Sequence, residues 1–150
     1  MGTNYYLLTK NKSIAEKIGD FELIDTPDWG YLIHIGKRSC GWLPLFQSHR
    51  GIKSVKDIEE WCKIPEVAIA DEYDKELTWE QLKDELIDWN GGVDGAIPKK
   101  YYEVDQNSLY CDSDMPNYTP VSHFAYGNGK YASHYFRDAE GYEFTTDDFC

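Results

Sequence analysis

Apolar and polar positions follow two different periods along this chain. Tyr5-Tyr6-Leu7-Leu8 and Tyr31-Leu32-Ile33-His34-Ile35 are short runs rich in β-branched and aromatic residues, and each predicts a strand. Ser13 to Ile18 predicts a short helix between them. Asp25-Thr26-Pro27-Asp28-Trp29-Gly30, with its Pro, Gly and small polar residues, predicts a turn into the second strand.

The period then changes to that of a helix. Val55, Ile58, Trp61 and Cys62 form an apolar stripe behind Ser54, a good N-cap, with Asp57 three residues on. This predicts a helix over 54–63 that ends before Pro65. A second, over 78–89, starts on the capping box Thr78 and Gln81, repeats Trp79, Leu82, Leu86 and Trp89, and stops at Asn90-Gly91-Gly92. Both stripes read as core, because burying such a face is what stabilises a helix.

Residues 90–120 carry glycines and prolines with little periodicity, and predict an irregular excursion with one strand near Lys100–Val104. Farther on, Phe124-Ala125-Tyr126 and Lys130-Tyr131-Ala132 flank Gly127-Asn128-Gly129, a hairpin signal. Tyr135-Phe136-Arg137 and Tyr142-Glu143-Phe144 likewise flank Asp138-Ala139-Glu140-Gly141. The fold expected is α+β, a mostly antiparallel sheet packed on one face by about two amphipathic helices, in a single domain over 1–150. A length of 150 residues suits one domain, and 23 aromatic residues supply a core.

Composition narrows the setting. No apolar run of about 18 residues is present, and the N-terminus lacks the basic and apolar regions of a signal peptide, so a cytoplasmic protein without a membrane span is expected. Met1-Gly2 suggests myristoylation until Tyr6, where that signal needs Ser or Thr. Cys40, Cys62, Cys111 and Cys150 are scattered, with no C-x-x-C pair and no His at finger spacing, and read as reduced thiols rather than metal ligands. Asp112-Ser113-Asp114 opens like a calcium loop, but His123 stands where the twelfth-position Glu is needed. No metal and no cofactor is expected. The net charge of -12 opposes direct binding to nucleic acid or to an anionic membrane.

That charge is unevenly spread. Gly30 to Lys56 holds five Lys or Arg residues, His34 and His49, and no acid, which leaves all 27 acids with the other ten of the 15 bases. Composition alone would put about five acids in such a window. At its centre stands His34-Ile35-Gly36-Lys37-Arg38-Ser39-Cys40-Gly41-Trp42. A strand ending at Ile35 would leave through glycines that let a ligand approach the backbone, among amide, hydroxyl, ammonium and guanidinium donors, with Trp42 or Tyr31 to stack on a ring. That chemistry suits an anion, although the spacing of a phosphate-binding P-loop is absent.

At this motif the chain resembles a set of small phage and bacterial proteins that open with Met-Gly-Thr-Asn-Tyr-Tyr and carry His-Ile-Gly-Lys-x-Ser-x-Gly-Trp. The likeness extends to Ile52–Trp61, Ile69–Tyr73, Leu77–Glu80, Arg137–Phe144 and Asp148-Phe149. It departs at Cys40, where a small residue is usual, and in lacking a Cys-rich segment before the motif, which weakens a Cys nucleophile and a metal alike. The resemblance implies a phage or prophage origin and directs attention to His34, Gly36, Lys37, Ser39, Gly41 and Trp42, without implying an activity.

Three functional classes follow. The first is a binder of an anionic, nucleotide-like molecule through His34, Gly36, Lys37, Arg38, Ser39, Gly41 and Trp42, whose use in a phage would be to sequester a host immune signal and so counter antiviral defence. The second is an acidic inhibitor that imitates DNA and binds a host defence protein, such as a nuclease or CRISPR effector, through Asp57, Glu59, Glu60, Asp71, Glu72, Asp84 and Glu85. Residues 57–88 carry twelve acids against three bases. The third is an enzyme on a phosphorylated substrate with His34 as acid or base, for which no paired catalytic partner stands out. A non-enzymatic role is favoured, and self-association is left open.

Overall fold

The computed structural model describes residues 2–24, 30–89, 91, 134–147 and 149. The strand expected at Lys100–Val104, the Gly127-Asn128-Gly129 hairpin, residues 25–29 of the first turn, His123, Cys111 and Cys150 lie outside them.

Among the described residues, eight strands form one sheet: β1 (Gly2–Thr9), β2 (Glu22–Leu23), β3 (Tyr31–Ser39), β4 (Leu45–Gln47), β5 (Val67–Asp71), β6 (Glu76–Leu77), β7 (Tyr135–Arg137) and β8 (Glu143–Thr145). Their order is β6-β5-β1-β3-β4-β8-β7, with β2 also paired to β3. All pairings are antiparallel except that of β4 with β8. Helices α1 (Lys12–Ile18), α2 (Val55–Cys62) and α3 (Trp79–Leu82) complete the α+β arrangement. None of the described helices is long and apolar enough to cross a membrane.

Local chemistry sets the helix starts. Asn11 caps α1 by accepting from the Ile14 N–H at 3.2 Å. Ser54 accepts from Asp57 N–H at 3.1 Å while Asp57 accepts from Lys53 N–H at 2.9 Å. Thr78 and Gln81 form the reciprocal capping box. The helix expected over 78–89 departs from α-geometry after one turn. It continues as a π-helical turn over Lys83–Ile87, closed by Asp88 N–H donating to the Lys83 carbonyl at 2.7 Å.

The helices pack on one face of the sheet. Tyr5 and Leu7 of β1, Ile33 and Ile35 of β3, Phe46 of β4 and Ile69 of β5 meet Ile18, Ile58, Leu82 and Leu86 in a single core. Alternation sends Asn4, Tyr6 and Leu8 to the opposite face. A β-bulge interrupts the ladder there: Tyr5 pairs with Gly36 but Tyr6 pairs with His34, so Ile35 is an extra residue in β3.

Sequence reading ends this strand at Ile35, whereas it runs on to Ser39. Gly36 therefore lies within the sheet rather than in an exit loop. A Cβ on it would stand 3.0 Å from the Leu45 carbonyl oxygen and 3.2 Å from Leu86 Cδ2. Close helix packing thus accounts for the glycine. Gly36→Ala is expected to lower stability by about 1–2 kcal/mol, since the backbone oxygen cannot move aside, as read from urea denaturation midpoints.

Candidate ligand pocket

The bulge divides the motif residues between two faces. On the helix side, Arg38 donates from Nη1 to the Glu85 carbonyl of the π-helical turn at 2.9 Å and stacks over the Trp89 ring at 4.7 Å. Trp89 Nε1 in turn donates to the Ser39 carbonyl at 3.0 Å. Gly41 closes the following turn at φ 87°, a left-handed conformation that suits glycine, and its N–H donates to the Gly91 carbonyl. Trp42 N–H donates to the Ser39 carbonyl in the same turn. Arg38, Ser39 and Gly41 thus tie this end of β3 to Glu85, Trp89 and Gly91, with Gly36 inside the strand and Trp42 in the turn that follows it.

His34 and Lys37 fall on the other face. His34 Nε2 lies 2.9 Å from Asn4 Oδ1, and Lys37 is directly opposite Asn4 in the ladder, which places it on the face of Asn4 and His34. Without the extra residue, positions 34 and 37 would point to opposite faces. The structure therefore brings together one pair from the seven expected residues.

His34 lines a pocket of about 390 Å³ at a gap in the sheet. Along one side of β3, β2 pairs with Tyr31 and Leu32 while β4 pairs with Gly36 and Lys37, so the carbonyl of His34 falls between them. His49 fills the gap. Its Nε2 donates to the His34 carbonyl at 2.6 Å, and its Nδ1 accepts from Asp20 N–H at 3.3 Å. These two partners hold the imidazole of His49 across the gap. Tyr6, Phe21 and Phe149 supply aromatic walls, and Asp20 and Glu22 are exposed acids lining the same pocket.

Burial holds His34 far below the ordinary imidazole range, with its pKa lowered to about 4, and His49 and Lys37 add to the shift. The Gln47 side chain and the Gly36 backbone, hydrogen-bond partners beside the ring, offset it in part; Gln47 Nε2 also donates to the carbonyls of Thr145 at 3.4 Å and Asp147 at 2.8 Å. Sequence reading singled out His34 but missed Tyr6, Phe21, Gln47, His49 and Phe149. Only the acid-free composition around Gln47 and His49 signalled any of them.

Five of the seven acids of the inhibitor reading have partners within the chain. Asp71 is buried and accepts from the N–H groups of Tyr73 and Lys75, while Glu72 accepts from Asn4 N–H. Glu85 bridges to Lys75, Glu60 to Lys63, and Asp57 belongs to the α2 cap. Burial pushes the Cys62 thiol up to about 12, so it is no nucleophile at neutral pH. Among the described residues, no three His, Cys, Asp or Glu side chains are grouped to hold a metal ion.

Comparison with protein-family models, curated proteins and solved structures finds no match to this chain.

Proposed function

We propose that the protein binds an anionic, nucleotide-like small molecule, with the ring in the His34 pocket and the anionic end directed toward Lys37. The observation that carries this reading is the pocket itself, lined by His34 and walled by Tyr6, Phe21 and Phe149. About 390 Å³ falls within the range of small-molecule sites. Aromatic walls suit a base, and carboxylates such as Asp20 and Glu22 suit sugar hydroxyls. Those acids repel phosphate, and Lys37 on the same face attracts it.

Given the resemblance to phage proteins, the use would be sequestration of a host nucleotide signal. The inhibitor reading draws less support, because five of its seven acids already serve caps, turns or ion pairs within the fold. A catalytic reading would use neutral His34 as a base, and the pocket residues pair it with no Ser, Thr, Cys or Lys.

Isothermal titration with a panel of nucleoside mono- and cyclic phosphates, beside mass spectrometry of molecules released by heating the purified protein, tests the proposal. Binding at one site per chain is expected, weakened at least tenfold in His34→Ala and several-fold in Lys37→Ala, with salt weakening the wild type more than the lysine variant. An empty protein that binds no member of the panel would sink it.

A further inference from the structure

The face of the sheet turned away from the helices carries a second depression, across β1 from His34. Tyr6 pairs with Ala70 and Leu8 with Ala68, so these four side chains share that face, and Glu76, paired with Ala70, stands on it too. Leu8, Ala68 and Ala70 floor a groove of about 680 Å³. A smaller hollow over Tyr6, Ile24 and Leu32 continues it, sharing Leu8, Ala70 and Asp74.

The walls of this groove are acidic. Glu66 precedes β5, Glu76 lies at the other end beside Ala70, and Asp74 stands in the turn between β5 and β6; all three are exposed. Four residues of strand separate Glu66 from Ala70, about 13 Å. Among the described residues none of the three is in an ion pair. Asn11 Nδ2 donates to Glu66 at 2.8 Å, which leaves the charge in place. Lys10 lines the groove as well, one positive charge against three negative. By contrast Asp71, Glu72 and Glu85, from the same acid-rich run, serve a turn, a backbone N–H and an ion pair. Tyr73, next to Asp74, is 70% exposed. An apolar floor between uncompensated charges of one sign is complementary to a chain that carries apolar groups and the opposite charge together.

We propose that the groove docks an extended basic segment of a partner protein, with apolar side chains on Leu8, Ala68 and Ala70 and Lys or Arg side chains reaching Glu66 at one end and Asp74 and Glu76 at the other. About four extended residues span that distance. A small aliphatic amine would meet the acids but leave Tyr73 and the continuing hollow uncovered, whereas a protein segment covers them all. The groove shares no lining residue with the His34 pocket, so this docking site and the nucleotide reading stand or fall separately.

Fluorescence anisotropy with two labelled eight-residue peptides, one alternating Lys with Leu and the other Lys with Ser, tests this. Their charge is equal, so a difference reports the apolar floor. The wild type is expected to bind the leucine peptide at least about tenfold tighter. Glu66→Gln/Asp74→Asn/Glu76→Gln keeps the shape of each side chain and is expected to weaken that binding at least about tenfold. Glu59→Gln/Glu80→Gln/Asp84→Asn, which removes the same charge from the helices, is expected to weaken it less than about threefold. Equal affinity for the two peptides, or equal loss in the two variants, overturns the proposal and leaves only general attraction to a net charge of -12. Spermidine binding as tightly as the leucine peptide would make the occupant a free amine. A dimer in sedimentation velocity that Ala68→Arg dissociates would make it a second copy of the chain; either result overturns the partner segment.

Discussion

Phe144→Ala is expected to lower the unfolding free energy by about 3–5 kcal/mol, the range for removing a fully buried aromatic side chain. Phe144 lies between two rings, with centroids 5.2 Å from Phe46 and 5.4 Å from Phe136, both stacked. It is also the centre of the one parallel pairing among the described strands, where Leu45, Phe46 and Gln47 of β4 face Glu143, Phe144 and Thr145 of β8. No tight turn can close a parallel pair, so side-chain packing must hold this one. Loss of the ring removes contacts on both strands, and the cavity left behind adds to the lost burial.

Urea denaturation of wild type, Phe144→Leu and Phe144→Ala measures the effect. The leucine variant keeps most of the apolar volume and should cost under about 1.5 kcal/mol. A loss below 1 kcal/mol in the alanine variant would show that β8 does not depend on the stack. Amide exchange should quicken first in β7 and β8. Phe149 follows β8 in sequence and lines the His34 pocket, so ligand binding should weaken together with stability.

Acidification should weaken the fold through His34. Its ring protonates near 6.5 in the unfolded chain and at about 4 in the folded one. Between those values the unfolded chain holds the extra proton, and stability falls as pH drops through the window. The contribution is complete above 6.5 and gone below 4; a shift of this size corresponds to at most roughly 3–4 kcal/mol. Comparing urea midpoints at pH 7.5 and 4.5 in wild type and in His34→Phe isolates it, because the carboxylates titrate alike in both proteins. The wild type is expected to lose at least about 1.5 kcal/mol more than the variant. Equal losses would mean that His34 charges freely in the folded state.

Elements governed by local chemistry were legible from the residues. Ser54 and Thr78 start their helices through side-chain contacts within three residues, and the Asp138–Gly141 turn joins β7 and β8 as its composition predicts. β2, β4, β5 and β6 were missed. Glu22–Leu23, Leu45–Gln47 and Glu76–Leu77 are too short to show a period, and Val67–Asp71 is a mostly buried run without alternation. The second helix was placed correctly at its start, but its shift to π-geometry gave no sequence signal.

The candidate site divides in the same way. Composition alone determined that a basic, glycine-containing segment interrupts an acidic chain, and the motif brought His34 and Lys37 forward. The tertiary structure decided which face each residue takes. A single extra residue at Ile35 reverses the parity of β3, so Lys37 shares a face with His34 while Arg38 turns to Glu85 and Trp89. The gap that forms the pocket is likewise non-local, since it depends on where β2 and β4 end along β3 and on His49 reaching the His34 carbonyl from 15 residues away. A strand's alternation is a local property; a bulge and a gap arise only when its neighbours are in place.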